Sequence, residues 1–205
     1  MPKRLAATTL LILAASGVVP VSADDAACAK RIGDLLKRSV SDVRPGRATM
    51  TIEMKGAPAM VSEYLLAGPS HGLHKPVSPP SPSWTLTTPG AMFQSTDGGK
   101  TWKKVRTFDA AAQKAQTEKT VAAQAQSITE AVCGNEPIDG VAHDKLEATI
   151  TNPPPGEFKM RNTYWMNSET GFISKTIMRV VSGGPKSVTT QEWTPAPGLK
   201  LPKPE

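Results

Sequence analysis

Residues 24–43 place Cys28, Ile32, Leu35, Leu36, Val40 and Val43 at steps of three and four, with Lys30, Arg31, Asp34, Lys37 and Arg38 between them. That spacing predicts an amphipathic helix. Asp24 or Asp25 is placed to cap its start, and Pro45-Gly46 to end it. The period then changes from about four to two. Ala48, Met50, Ile52 and Met54 alternate with Arg47, Thr49, Thr51, Glu53 and Lys55, which predicts a half-buried strand. Residues 60–67 return as its partner across the Gly56–Ala59 turn.

Residues 68–90 hold six prolines and three glycines. This composition predicts a long loop or irregular edge, with a short strand at Trp84–Thr88. Met92–Gln94 and Trp102–Val105 flank Gly98-Gly99 as a tight hairpin. Val121, Ala125, Ile128 and Val132 form a narrow apolar stripe, so a second helix is expected over 109–132, running into Cys133. Four more strands follow over 140–151, 157–167, 172–181 and 186–193. A tail with four prolines, expected along the surface, closes the chain. Helices at two places among antiparallel strands make an α+β domain.

The first 23 residues read differently from the rest. Lys3 and Arg4 precede a largely apolar run of 17 residues, Leu5–Val21, and Val21-Ser22-Ala23 fits a small-residue cleavage site. The run falls short of the ~20 residues of a spanning helix. Residues 1–23 are therefore expected to be a cleavable signal peptide and 24–205 a single domain, periplasmic or secreted and not an integral membrane protein. Without residues 1–23 the net charge falls from +6 to +4, and the basic residues are scattered, so nucleic acid is not an expected partner. Cys28 and Cys133 lie 105 positions apart, too far for a redox pair, and are expected to form a structural disulfide.

Candidate chemistry is sparse. Ser95-Thr-Asp-Gly-Gly-Lys-Thr-Trp102 matches the Asp-box of sialidase-like propellers, but one copy cannot build a propeller, so it predicts a stabilised hairpin and no glycosidase. His71 and His74 sit three apart in the expected loop, which does not suit a metal site. Met50 and Met54, ~13 Å apart along one strand, cannot share a copper ion. No nucleophile elbow, Cys–His pair or phosphate loop is present. Neither catalysis nor a cofactor is expected.

The order of elements carries a resemblance. After the helix and the Thr-Ile-Glu-Met hairpin come Cys133-Gly-Asn-Glu-Pro-Ile-Asp-Gly140-Val-Ala, then Tyr164-Trp-Met-Asn-Ser-Glu-Thr-Gly171, then a strand through Ile177. This resembles the periplasmic lipoprotein-carrier superfamily of LolA, LolB and LppX type. The resemblance implies a curved, unclosed antiparallel sheet, part of the way to a β-barrel, with helices covering its concave face. It also implies an apolar cavity for acyl chains. Leu35, Met50, Ile52, Met54, Tyr64, Leu66, Met160 and Tyr164 are the expected ligand-binding residues of a monomeric, non-catalytic binding protein. The alternative function is an envelope assembly or scaffold module that contacts another protein through 68–90.

Overall fold

The computed structural model describes residues 22–154 and 156–204. The expected signal peptide lies outside the described residues, apart from its last two positions. The chain folds as α1 (Ser22–Ser41), β1 (Gly46–Met54), β2 (Met60–Gly68), β3 (His71–Ser78), β4 (Trp84–Thr88), β5 (Ala91–Ser95) and β6 (Lys103–Thr107). Then follow α2 (Ala110–Gln126), β7 (Thr129–Asn135), β8 (His143–Thr151), β9 (Lys159–Asn167), β10 (Ile173–Ser182) and β11 (Ser187–Pro195). All eleven strands form one antiparallel sheet in the order β6-β5-β4-β3-β2-β1-β11-β10-β9-β8-β7, which does not close. It is two meanders, β1–β6 and β7–β11, joined where β1 pairs with β11 from Gly46 opposite Pro195 to Met54 opposite Ser187. The α+β architecture and the curved open sheet are as expected.

Side chains alternate across a strand, and directly paired residues share a face. The register therefore assigns each strand residue a side. The side that carries α1, here the inner face, includes Met50 and Ile52 of β1 with Ser62 and Met60 opposite them on β2. It also includes Met160, Asn162 and Tyr164 of β9, paired with Ile150, Ala148 and Leu146 of β8.

The two meanders bury opposite faces. Beneath α1, Cys28, Ile32 and Leu35 pack on the inner-face residues Leu146, Ala148, Ile150 and Tyr164. In the other meander the core lies on the outer face, where Leu65, Leu73 and Leu86 meet Leu201, with Trp84, Phe93, Trp102 and Leu199 around them. The arms are thus exchanged. The amino-terminal helix covers the carboxy-terminal meander, and the carboxy-terminal tail covers the amino-terminal one. The tail runs along the surface as expected, but it also completes a core.

Two elements differ from the sequence expectation. The short strand expected at Trp84–Thr88 is present as β4, but the rest of the proline-rich 68–90 segment is not a long loop, because β3 is a further strand inside the sheet. A register irregularity between Val61 and Ser62 sets Ser78 and then Pro76 opposite β2, which lets the strand pass its prolines. The second helix stops at Gln126, where the Ser127 amide donates to the Ala123 and Gln124 carbonyls. The stripe therefore breaks. Cys133 lies on strand β7, and Val132, 57% exposed, points away from the core. None of the residues of α2 is buried. The helix rests on α1, with which it makes a close approach: a Cβ on Gly33 would lie 3.6 Å from that of Ala125.

Candidate functional site

The inner face gathers the residues singled out from the sequence. Met50, Ile52 and Met54 lie in phase on β1, Tyr64 and Leu66 beside them on β2, and Met160 and Tyr164 in phase on β9. Their burial is graded. Leu35 and Tyr164 are buried in the core under α1. Met50, Ile52, Tyr64, Leu66 and Met160 are half-buried, and Met54 is exposed at the end of its strand.

The openings along this face are unequal. Leu35 and Leu66 border a cavity of about 140 Å³ together with Arg38, Phe172, Ile173 and Trp193. A larger one, about 570 Å³, lies between the end of α1 at Val40 and Val43, the turns at Pro69 and Pro89, and Ala110, Lys114 and Thr117 of α2. That α1, α2 and both turns border one cavity reflects the curvature of the sheet. Met54 borders a third, of about 480 Å³, with Val180, Val181 and Val188. Met50, Ile52, Tyr64, Met160 and Tyr164 border none of these three.

Polar groups interrupt the apolar face, among them Ser62, Thr176, Gln191 and Asn162. Gln191 sits opposite Met50 and donates from Nε2 to its sulfur at 3.7 Å, while Trp193 Nε1 donates to Gln191 Oε1 at 3.3 Å. On β9, Asn162 Nδ2 donates to the Tyr164 hydroxyl at 3.1 Å. Burial pushes the Tyr164 phenol up to about 12, against the opposing effect of the Asn162 bond. Burial also raises the pKa of Tyr64, whose ring packs edge-on to Trp193 with centroids 6.1 Å apart. Asn162 was not singled out from the sequence. Its signal was there, because in Met160-Arg-Asn-Thr-Tyr164 it falls in phase with the two inward residues.

The remaining candidates are structural. Cys28 and Cys133 form the expected disulfide, with Cα atoms 5.6 Å apart, joining α1 to β7 rather than to a helix end. His143 is buried, with Nδ1 2.8 Å from the Val141 carbonyl and Nε2 2.9 Å from Ser174 Oγ, so both ring nitrogens are engaged. His71 and His74 lie on β3, not in a loop. Among the described residues no group of three His, Cys, Asp or Glu side chains is placed to hold a metal ion.

The Asp-box hairpin has the expected architecture. Asp97 Oδ1 accepts from the Lys100 and Thr101 amides at 3.0 and 2.9 Å and from Ser95 Oγ at 2.7 Å. Thr101 Oγ1 donates to Asp97 Oδ2 at 2.6 Å. The Thr101 hydroxyl and amide, then Ser95, hold this carboxyl well below the usual carboxylate range. No helix among the described residues is long and apolar enough to cross a membrane.

No protein-family model matches this sequence. Nor does any curated protein. Solved structures do resemble it. They include a LolA superfamily protein from Nitrosomonas europaea (10% identity, 85% of this chain and 94% of that one, TM-score 0.35). A DUF1329 family protein from Desulfovibrio piger matches at 14% identity over 83% of this chain and 94% of that one, TM-score 0.33. A chain of the Pseudomonas aeruginosa MucA/MucB complex matches at 13% identity over 84% of this chain, TM-score 0.44, and here the present chain spans only 59% of its counterpart.

Proposed function

We propose that this protein is an exported, periplasmic binding protein that holds an apolar or acyl-bearing ligand against the inner face of its sheet, without converting it chemically. The observation that carries this reading is the half-burial of apolar residues on one face of the sheet. Met50, Ile52, Leu66 and Met160, from both meanders, turn to the side that α1 covers, yet stay partly open to solvent. In a closed core such residues are buried outright, and a binding face leaves them partly free. Methionines suit such a face because their unbranched chains adapt to an irregular occupant. The disulfide supports an oxidising compartment.

Protein purified from its own envelope is the material to test. Native mass spectrometry and lipid extraction are expected to find a bound apolar or acylated molecule. Ligand-free protein that also fails to bind the fluorescent apolar probe 1-N-phenylnaphthylamine would overturn the proposal. The second reading, an envelope module that contacts another protein through 68–90, rests on the end of β3, where Val77 is 52% exposed. A co-purifying polypeptide without lipid would favour it.

A further inference from the structure

One end of the sheet gathers apolar and cationic side chains that the sequence keeps far apart. There β1 finishes at Met54, β2 starts at Met60, β10 finishes at Ser182 and β11 starts at Ser187. Met54 is 37% exposed, Met60 38% and Val181 51%. Met54 stands opposite Ser187, and the next residue outward on each strand is a lysine, Lys55 and Lys186. Arg179 lies opposite Val188, one strand further along. Lys55, Arg179 and Lys186 border the hollow of about 480 Å³ with Met54, Val180 and Val181, and Glu53 is the one carboxylate beside them. In the neighbouring turn Glu157 and Lys159 offset each other.

Lys55, Arg179 and Lys186 are exposed, and among the described residues none of them forms an ion pair. Further down the strands the cations are answered: Lys75 pairs with Glu63, Lys145 with Glu136, Arg161 with Glu147 and Lys175 with Glu192. Like charges facing each other across strands destabilise a sheet, and exposed apolar side chains clustered beside them mark a contact surface. A surface that is anionic outside and apolar just beneath relieves both at once. A phospholipid layer is built that way. Long basic side chains reach its headgroups while methionine and valine enter below them.

We propose that this end of the sheet docks on an anionic phospholipid surface, with Lys55, Arg179 and Lys186 at the headgroups and Met54, Met60 and Val181 beneath them. Docking needs no occupant on the inner face, so the proposal stands apart from the ligand reading. Met54 and Val180 are in phase with Met50 and Met160, so the inner face runs out at the docked end.

The test is flotation of the purified protein with vesicles of phosphatidylcholine alone, or of equal parts phosphatidylcholine and phosphatidylglycerol. Binding is expected on the anionic vesicles only, and should be lost at about 0.5 M salt. Lys55→Gln with Lys186→Gln should weaken it about thirtyfold, about fivefold for each charge. Val181→Ser should weaken it about threefold. Lys37→Gln with Lys119→Gln removes the same charge from the two helices and should change binding by less than about twofold. No binding to anionic vesicles would overturn the proposal and leave the patch to an acidic protein. Equal losses in the two double variants would mean that net charge alone attracts the protein, which overturns it as well. So would equal binding to both kinds of vesicle.

Discussion

Leu201 is the side chain by which the tail closes the outer core. It is 8% exposed and packs with Leu65, Leu73 at 2% and Leu86 at 0%. Shortening it to alanine removes three carbons from a closed cluster. Burying a leucine is worth ~1.5–3 kcal/mol, and leucine-to-alanine changes in cores cost ~2–5 kcal/mol depending on how far the site collapses. A tail held by few other contacts can relax, so the low end applies, about 2 kcal/mol. With a urea dependence of about 2 kcal/mol/M, the midpoint should fall by about 1 M at unchanged slope. Lys203→Ala, on an exposed neighbour, is the control and should stay within ~0.5 kcal/mol. Equilibrium urea unfolding followed by tryptophan fluorescence reads both. A midpoint for Leu201→Ala within about 0.2 M of the parent would refute the reasoning. It would mean that the strands alone close this core and that the tail is merely laid on it.

Replacing both Cys28 and Cys133 by serine opens a loop of 105 positions. The chain-entropy figure for such a loop is about 4–5 kcal/mol, an upper value, so a lowered melting temperature in calorimetry is expected. Gly99 has φ +87°, and a Cβ there would lie 2.7 Å from the Trp84 ring, so Gly99→Ala should cost about 2 kcal/mol in the same urea assay. Tyr164, with its phenol raised to about 12, favours the folded state fully below pH 10, and that contribution is lost as pH rises through about 12. An ultraviolet titration should therefore show one tyrosine ionising only with loss of structure. Two tyrosines titrating near 10 in folded protein would contradict the burial.

Much of this fold is legible from alternation and turn chemistry. β1 declares itself by the strict phase of Ala48 to Met54, and the late strands by the turns between them. Two elements were obscured for physical reasons. Pro76, Pro79 and Pro80 signal a loop, but an irregularity opposite Val61 and Ser62 lets a strand run through Pro76 to Ser78 inside the sheet. The stripe Val121, Ala125, Ile128, Val132 keeps helical spacing across Ser127, although Ser127 ends the helix and its hydroxyl donates to Thr151 at 3.1 Å. Spacing alone cannot register a cap that depends on a residue 24 positions later. The apolar members of the candidate site were readable because they alternate. Asn162 was not, because a polar residue in an inward phase looks like an interruption until its burial is known.

The exchange of arms has a consequence for the order in which the chain can become a protein. A chain that emerges from its amino terminus brings out α1 long before the strands that α1 must cover. The strands β2–β5 in turn wait for Leu201, 115 positions after Leu86. The cluster under α1 waits for Leu146 to Tyr164, and the outer cluster waits longer still, for the tail. The half that is made first is therefore the half that closes last.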